Sequence, residues 1–507
     1  MAAGPAGGGR PKGNGPQGLP GISVTGRRAA TFCLLLVGAL CVQATRVQVF
    51  ESRDLDRNQA NQRLTVERYA RPRGDILVGA RPVTGSQTTG GRYAYKRTYT
   101  DGPTYAAVTG FASQAYGNSQ LEGTEDGLLT GTDGRLTGWS LWDAVSRRQN
   151  PGGDVYTTID PAAQQAAMSG LGEQKGAVAA IEPATGRILA LASTPTYDPG
   201  GFAGSSGADR TAWNRLQADT DQPMLNRALR QTYPPGSTFK VVTAAAALTA
   251  GVVTDPGAPT DAPFPYVLPG TATPLVNDNA DCDRPGLSLD AAMTASCNSV
   301  LGYLGVRTGL SNVVATAEGF GFNDPQLDVP VRPARSNVDT SMDRAQLALS
   351  SIGQFDTAAT PLVMAMVAAG IANDGTVMRP QLVDKLTRSD GTEVERMKPA
   401  VYRRAITPEV AGQVRKLMTD AVEKGTGGNA RIAGAVVGGK TGTAQHGVDN
   451  SGTPYAWFIA WAKPAGSDAV PPVAVAVVVA DSDATDVTGG ALAAPVARSV
   501  MRAVLGH

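Results

Sequence analysis

YPPGSTFKVVTAAAALTAG, residues 233–251, sets Ser237 three positions ahead of Lys240, between a Pro-Pro-Gly turn and an apolar helical run. A helix advances about 100° per residue, so positions i and i+3 share a face and their side chains can meet. Pro234, Pro235 and Gly236 do not readily continue a helix but can precede one. That predicts Ser237 at or near a first turn, where free backbone N–H groups favour developing negative charge. Such a serine has two readings. It is a favoured helix cap, and it is a nucleophile wherever a neighbouring base takes its proton.

The base is not expected to be histidine. The chain has two, His446 and His507. His507 is the last residue of the sequence, so His446 would have to fill every histidine role; a Ser-His-Asp triad or a histidine-rich metal site is hard to build. Neither a metal nor a cofactor is expected. The net charge of +1 over 507 residues gives no field that would recruit nucleic acid. With 42% apolar and 18% charged residues, 61 Gly and 34 Pro, the composition is globular and rich in loops, and the length implies two or more folded units. No zinc-type cysteine spacing appears.

Residues 1–28 are rich in Gly and Pro and carry Arg10, Lys12, Arg27 and Arg28 without an acidic residue, which predicts a disordered basic tail on the cytoplasmic side. The chargeless run Ala29–Thr45 is at the short end of what crosses a bilayer. It reads as a single-pass anchor with the later chain outside, or as a cleaved signal peptide ending near Val42-Gln43-Ala44. Residues 46–150, polar and rich in Arg, Gly and Thr, read as a non-catalytic pedestal, with a boundary near Pro151-Gly152-Gly153.

Residues 151–507 read as one domain. "GAVAAIEPATGRILALAST" predicts two strands joined by a turn, and "AGAVVGGKTGTAQ", "YAWFIAWAKP" and "PPVAVAVVVADS" predict three more before a closing helix. The fold class is therefore α/β and multidomain, with a mainly antiparallel sheet built from both ends of the domain. Ser237–Pro399 is expected to be mostly helix and loop.

Two further motifs complete the serine and lysine: Ser296-Cys297-Asn298, and Lys440-Thr441-Gly442 followed by Thr443. Each of the three patterns occurs once, in this order. Together they mark penicillin-binding proteins and related serine β-lactamases. From about Arg46 onward the chain resembles class B penicillin-binding proteins, and in pattern the penicillin-binding protein A group. "RPRGDI" (71–76), "AIEPATGRILALAS" and "SSIGQFDTAATPLVMAMVAAGIANDG" (350–375) add to the likeness. The middle residue of the second motif is cysteine here, where the pattern has aspartate.

The resemblance implies a membrane-bound peptidoglycan D,D-transpeptidase of the β-lactamase-like fold, a five-stranded sheet flanked by helices plus a helical subdomain. Its catalytic residues would be Ser237, Lys240, Ser296, Asn298 and Lys440, with Thr441, Gly442 and Thr443 binding substrate. Partners implied are D-Ala-D-Ala stem peptides, penicillins and a membrane glycosyltransferase of the shape, elongation, division and sporulation family. Alternatives on the same domain are a serine β-lactamase, for which Glu318 would be the water-activating glutamate, a D,D-carboxypeptidase, or a silent cell-wall scaffold. Cys282 and Cys297 are either a disulfide or two free thiols; His446 is a loop residue without a catalytic role; Trp457 and Phe458 are core.

Overall fold

The computed structural model describes residues 1, 4, 24–46, 66, 68–136, 151–447, 451–482, 484 and 486–506. Two compact units divide after Glu67. The first holds helix α1 (Val24–Arg46), 23 residues long and apolar enough to cross a membrane. At 1.5 Å per residue it measures about 34 Å, against a hydrocarbon core of about 30 Å. The helix begins five residues before the chargeless run, so Arg27 and Arg28 belong to it and not to a tail. The remaining expectations for the tail, Arg10 and Lys12 among them, lie outside the described residues, as does His507.

The second unit, Arg68–His507, opens with β1 (Ile76–Val78), which pairs antiparallel with β2 (Arg81–Pro82) and parallel with β3 (Asp154–Thr157). The sheet therefore runs across the boundary expected at residues 151–153. Gly153 N donates to Leu128 O at 2.9 Å and Gly74 N to Leu129 O at 2.9 Å, so the segment read as a boundary is stitched to the pedestal. No carboxylate stood out in the pedestal sequence, yet Glu122 is fully buried there between Arg73 and Arg97, with Asp126 completing the cluster. Burial of such charges is tolerated only when they are paired and hydrogen-bonded.

The catalytic-type domain follows: α2 (Pro161–Leu171), β4 (Lys175–Ile181), β5 (Ile188–Thr194), then a helical region with α3 (Lys240–Thr249), α4 (Leu289–Ala295), α5 (Asn298–Thr308) and α6 (Pro361–Ala372). Three strands interrupt what was expected to be mostly helix and loop: a short one at Thr376–Met378, and β6 (Val383–Thr387) and β7 (Glu393–Arg396), which extend the pedestal sheet to the order β7-β6-β3-β1-β2. Strands of five and four residues are too short to show a two-residue period against background, which is why the sequence did not announce them.

The chain ends with β8 (Ala435–Ala444), β9 (Tyr455–Pro464), β10 (Val473–Asp481) and α7 (Ala494–Leu505). The central sheet is antiparallel, in the order β8-β9-β10-β4-β5. Alternation along β9 sends Phe458 into the layer with α2 and α7, and Trp457 and Ile459 into the layer with α3 and α6. Because helices cover both faces, the strands are nearly continuous apolar runs such as VAVAVVVA. Helix α6 is buried all round, as expected for a helix inside a core. β8 is left as the edge strand, with its open side toward residues 236–238.

Candidate active site

The turn before α3 is short. Gly236–Phe239 form a 3-10 turn and α3 starts at Lys240, so Ser237 stands in the turn that leads directly into the α-helix, near its first turn as expected. Gly236 has φ 53°, and a Cβ there would stand 2.8 Å from Thr443 O. A Cβ on Gly442 would stand 2.8 Å from Pro235 O and 2.9 Å from Thr238 Cγ2. Only glycine lets strand and turn approach this closely. The turn is clamped further by Trp457 Nε1 donating to Pro234 O (2.9 Å) and Gly236 N donating to Gly353 O (3.0 Å). Trp457 and Phe458 are core residues as expected, but the indole hydrogen bond under the serine turn was not foreseen.

Lys240 and Lys440 are both 0% exposed. Lys240 Nζ donates to Ser296 O at 2.6 Å and to Asn298 Oδ1 at 2.7 Å, and lies 3.3 Å from Ser296 Oγ. Lys440 Nζ reaches the same Ser296 Oγ at 2.8 Å and Thr441 O at 3.0 Å. The second motif's serine thus bridges the two amines. Burial pushes Lys240 well below the ordinary lysine range, the charge of Lys440 adds to this, and Asp278 opposes it. Burial pushes Lys440 down to about 7.

The i, i+3 spacing predicted contact between Ser237 and Lys240. No hydrogen bond joins them, and among the described residues the Ser237 hydroxyl, half-buried at the cleft, makes none. Spacing fixes a shared face; here the carbonyl of Ser296 and the amide of Asn298 compete for the lysine and hold it. Thr443 is half-buried beside Ser237. Its carbonyl faces Gly236, and because a strand residue's N–H and C=O point to the same side, its N–H also faces the turn. Thr441 Oγ1 is hydrogen-bonded to Thr426 Oγ1 at 2.7 Å.

Ser296 ends α4 in the left-handed region, φ 63°, a conformation costing about 1 kcal/mol or more outside glycine. The flanking residue helps to hold it: Cys297 is disulfide-bonded to Cys282 across a sequence separation of 15. Replacing both cysteines with alanine is expected to lower the unfolding free energy by about 3 kcal/mol, the loop-closure value for this length, as measured by urea denaturation. Unchanged stability would show that the bond does not hold this loop.

Residues 276–278 were missed by sequence reasoning. Asn277 Oδ1 accepts the N–H groups of Asn298 (2.8 Å) and Ser299 (2.9 Å), capping α5. Asn298 Nδ2 donates to Val276 O (2.8 Å) and Asp278 Oδ2 (3.4 Å), so this amide, one of the expected catalytic residues, is engaged within the protein. The signal was the Asx-rich stretch VNDNADCD (276–283), whose side chains favour such local bonds. His446 stacks on Tyr455 at 4.0 Å with its Nε2 on Thr453 O (2.6 Å). Glu318 Oε1 accepts from Asn323 at 3.4 Å and bonds none of the candidate residues. Among the described residues no group of three His, Cys, Asp or Glu side chains could hold a metal.

A Ser/Lys/Ser/Lys array with both amines buried has relatives. Residues 176–502 match the model of the penicillin-binding protein transpeptidase domain. The chain belongs to the penicillin-binding protein transpeptidase family. Residues 73–155 match the penicillin-binding protein A dimerisation domain. Within this family, the peptidoglycan D,D-transpeptidase PbpA of Mycolicibacterium smegmatis is 43% identical over 488 residues, covering 94% of this chain and 98% of that protein. Penicillin-binding protein A from M. tuberculosis, solved as a ceftriaxone acyl-enzyme, superimposes with TM-score 0.81 at 42% identity, covering 87% of this chain and 100% of that one. Its penicillin G acyl-enzyme gives 0.78 at 42% identity, with 85% and 99% covered.

Proposed function

We propose that this penicillin-binding protein is a peptidoglycan D,D-transpeptidase that cross-links stem peptides through an acyl-enzyme on Ser237. The observation that supports the reading best is Ser296 Oγ lying 2.8 Å from Lys440 Nζ and 3.3 Å from Lys240 Nζ, with both amines buried. A neutral lysine has two N–H groups and one lone pair. The short bonds from Lys240 to Ser296 O and Asn298 Oδ1 use the two hydrogens, leaving the lone pair as a base.

Ser237 Oγ attacks the carbonyl between the last two D-alanines and its proton passes to Lys240. As the C–N bond breaks, that proton travels through Ser296 to the departing D-alanine amine. The backbone N–H groups of Ser237 and Thr443 stabilise the oxyanion, each worth about 3 kcal/mol. Lys440 and the hydroxyls of Thr441 and Thr443 take the terminal carboxylate, whose charge favours the protonated Lys440. Asn298 acts by holding Lys240. An amine from a second stem peptide then attacks the ester and forms the new amide, and its proton passes through Lys240 to Ser237 Oγ as the ester C–O bond breaks.

The basic residues before α1 support an inside N-terminus, an anchor at 29–45 and a catalytic unit outside the membrane. The pedestal at 46–150 is too short for a glycosyltransferase domain, which supports a separate membrane glycosyltransferase as the source of glycan strands for the 151–507 domain. Incubation with a labelled penicillin followed by peptide mapping is the test. A long-lived adduct on Ser237 is expected; rapid turnover of penicillin, or a label elsewhere, would overturn the reading.

A further inference from the structure

The loop that wraps Asn298 carries a carboxylate, and it is fixed on both sides of that group. Before it, Asn277 Oδ1 accepts the N–H groups of Asn298 and Ser299, and Asn277 Nδ2 lies within hydrogen-bond distance of Cys282 O (3.3 Å), Asp283 Oδ1 (3.1 Å) and Ser299 Oγ (3.1 Å). After it, Cys282 is bonded to Cys297, the residue between Ser296 and Asn298. Asp278 between these anchors is exposed, yet its Oδ2 lies 3.4 Å from Asn298 Nδ2. Capping α5 needs no carboxylate at this position, because Asn277 already takes the two N–H groups.

The other end of the same amide holds the amine. Asn298 Oδ1 accepts from Lys240 Nζ at 2.7 Å, so carboxylate, amide and amine form a chain of two hydrogen bonds. Hydrogen bonds in a chain polarise one another: an amide whose N–H is turned to an anion has the better acceptor oxygen. Asn298 and Lys240 are both buried, so the field of the carboxylate reaches the amine through protein and is less weakened than it would be in water. The charged groups that act on Lys240 are the ammonium of Lys440 on β8 and the carboxylate of Asp278 on the loop, and they oppose each other. Asp283, on the same loop, is turned to Asn277.

We infer that Asp278 is a positioning residue for acylation: through the Asn298 amide it holds the Lys240 amine in place and supplies the negative charge that offsets Lys440. The assignment rests on the reading of Lys240 as the base that takes the Ser237 proton, and deepens it. A buried amine beside a second ammonium sheds its proton easily but takes one up poorly, and a general base must do both. A carboxylate on the far side of the amide restores part of the affinity for the proton while standing clear of the serine.

The test uses the whole protein and a fluorescent penicillin in fixed excess, and reads the first-order rate constant of labelling at Ser237 as a function of pH. That constant comes from a time course, so it does not depend on how much of the protein is folded. Asp278→Asn keeps the size of the side chain and an oxygen for Asn298 Nδ2 while removing the charge. Without the carboxylate the ammonium form of Lys240 loses support, so the rising acid limb is expected to move to lower pH by about one pH unit. The plateau is expected to fall about threefold, because the amine has become a weaker base. The falling limb, set by Lys440, stays in place. Asp278→Glu keeps the charge, and its acid limb is expected to coincide with that of the parent. An acid limb that does not move in Asp278→Asn, whatever the rate at the plateau, would make Asp278 a structural loop residue and overturn the inference, as would a limb that moves equally in Asp278→Glu. A parent protein that takes no label on Ser237 would overturn the acyl-enzyme reading itself, and this inference with it.

Discussion

Lys240→Met is expected to slow acylation by penicillin about 10³- to 10⁴-fold, at the upper end of what a positioned general base contributes. The side chain is fully buried and its amine is held well below the ordinary lysine range by that burial, which favours the neutral, basic form. Methionine approximates its length and apolar stem, leaving the packing of α3 in place. The change strands Ser296 O and Asn298 Oδ1, which Lys240 now bonds, at about 1–3 kcal/mol for each unsatisfied group. It also removes a buried amine that is itself costly, so the midpoint of thermal unfolding is expected to move little. Stopped-flow acylation rates within tenfold of the parent would sink the proposal that Lys240 accepts the serine proton. Serine turns that lack a base do not react with penicillin at useful rates, so the measurement separates a catalytic lysine from a structural one.

The central sheet was legible because burial on both faces writes long apolar strands into the sequence, and "VAVAVVVA" or "YAWFIAW" admits few other readings. The three motifs were legible because each couples a residue type to a local element: a turn before a helix, a helix end, an edge strand. What the sequence hid was contact across long separations. Nothing in "VDKLT" announces that it pairs with Asp154–Thr157, and nothing in Glu122 announces two arginines around it. The same limit explains why Lys240 hydrogen-bonds Ser296 and Asn298 and not Ser237. Helical periodicity gives direction, whereas the partner is decided by whichever acceptor the fold brings nearest, here one 56 residues away. The left-handed Ser296 and the capping of α5 by Asn277, a loop residue 21 positions earlier, belong to this class too, since neither is written into the local sequence of the helices they serve.

The two amines also make opposite demands on pH, and this gives the other large effect. In the unfolded chain a lysine holds its proton up to its ordinary value of 10.5, while in the folded protein Lys440 releases it at about 7. Between those values the unfolded state binds more protons, so stability rises with pH, by about 1.4 kcal/mol per unit for each such lysine. Below about 7 Lys440 contributes little slope; Lys240, also pushed well down by its burial, adds a rise of the same sign. Urea unfolding is therefore expected to show the protein about 2 kcal/mol more stable at pH 9 than at pH 7 from Lys440 alone, and Lys440→Met should remove that part of the slope. Catalysis runs the other way. Acylation needs Lys240 neutral, which sets a rising acid limb, and a charged Lys440 to hold the substrate carboxylate, which sets a falling limb near 7 in the free enzyme. A protein whose stability fell between pH 7 and 9, or whose acylation rate kept climbing through that range, would not contain two buried amines of which one must be charged. The opposition has a physical root: the fold pays to keep a charge at Lys440 dry, and that dry charge is what makes the site select an anionic peptide terminus.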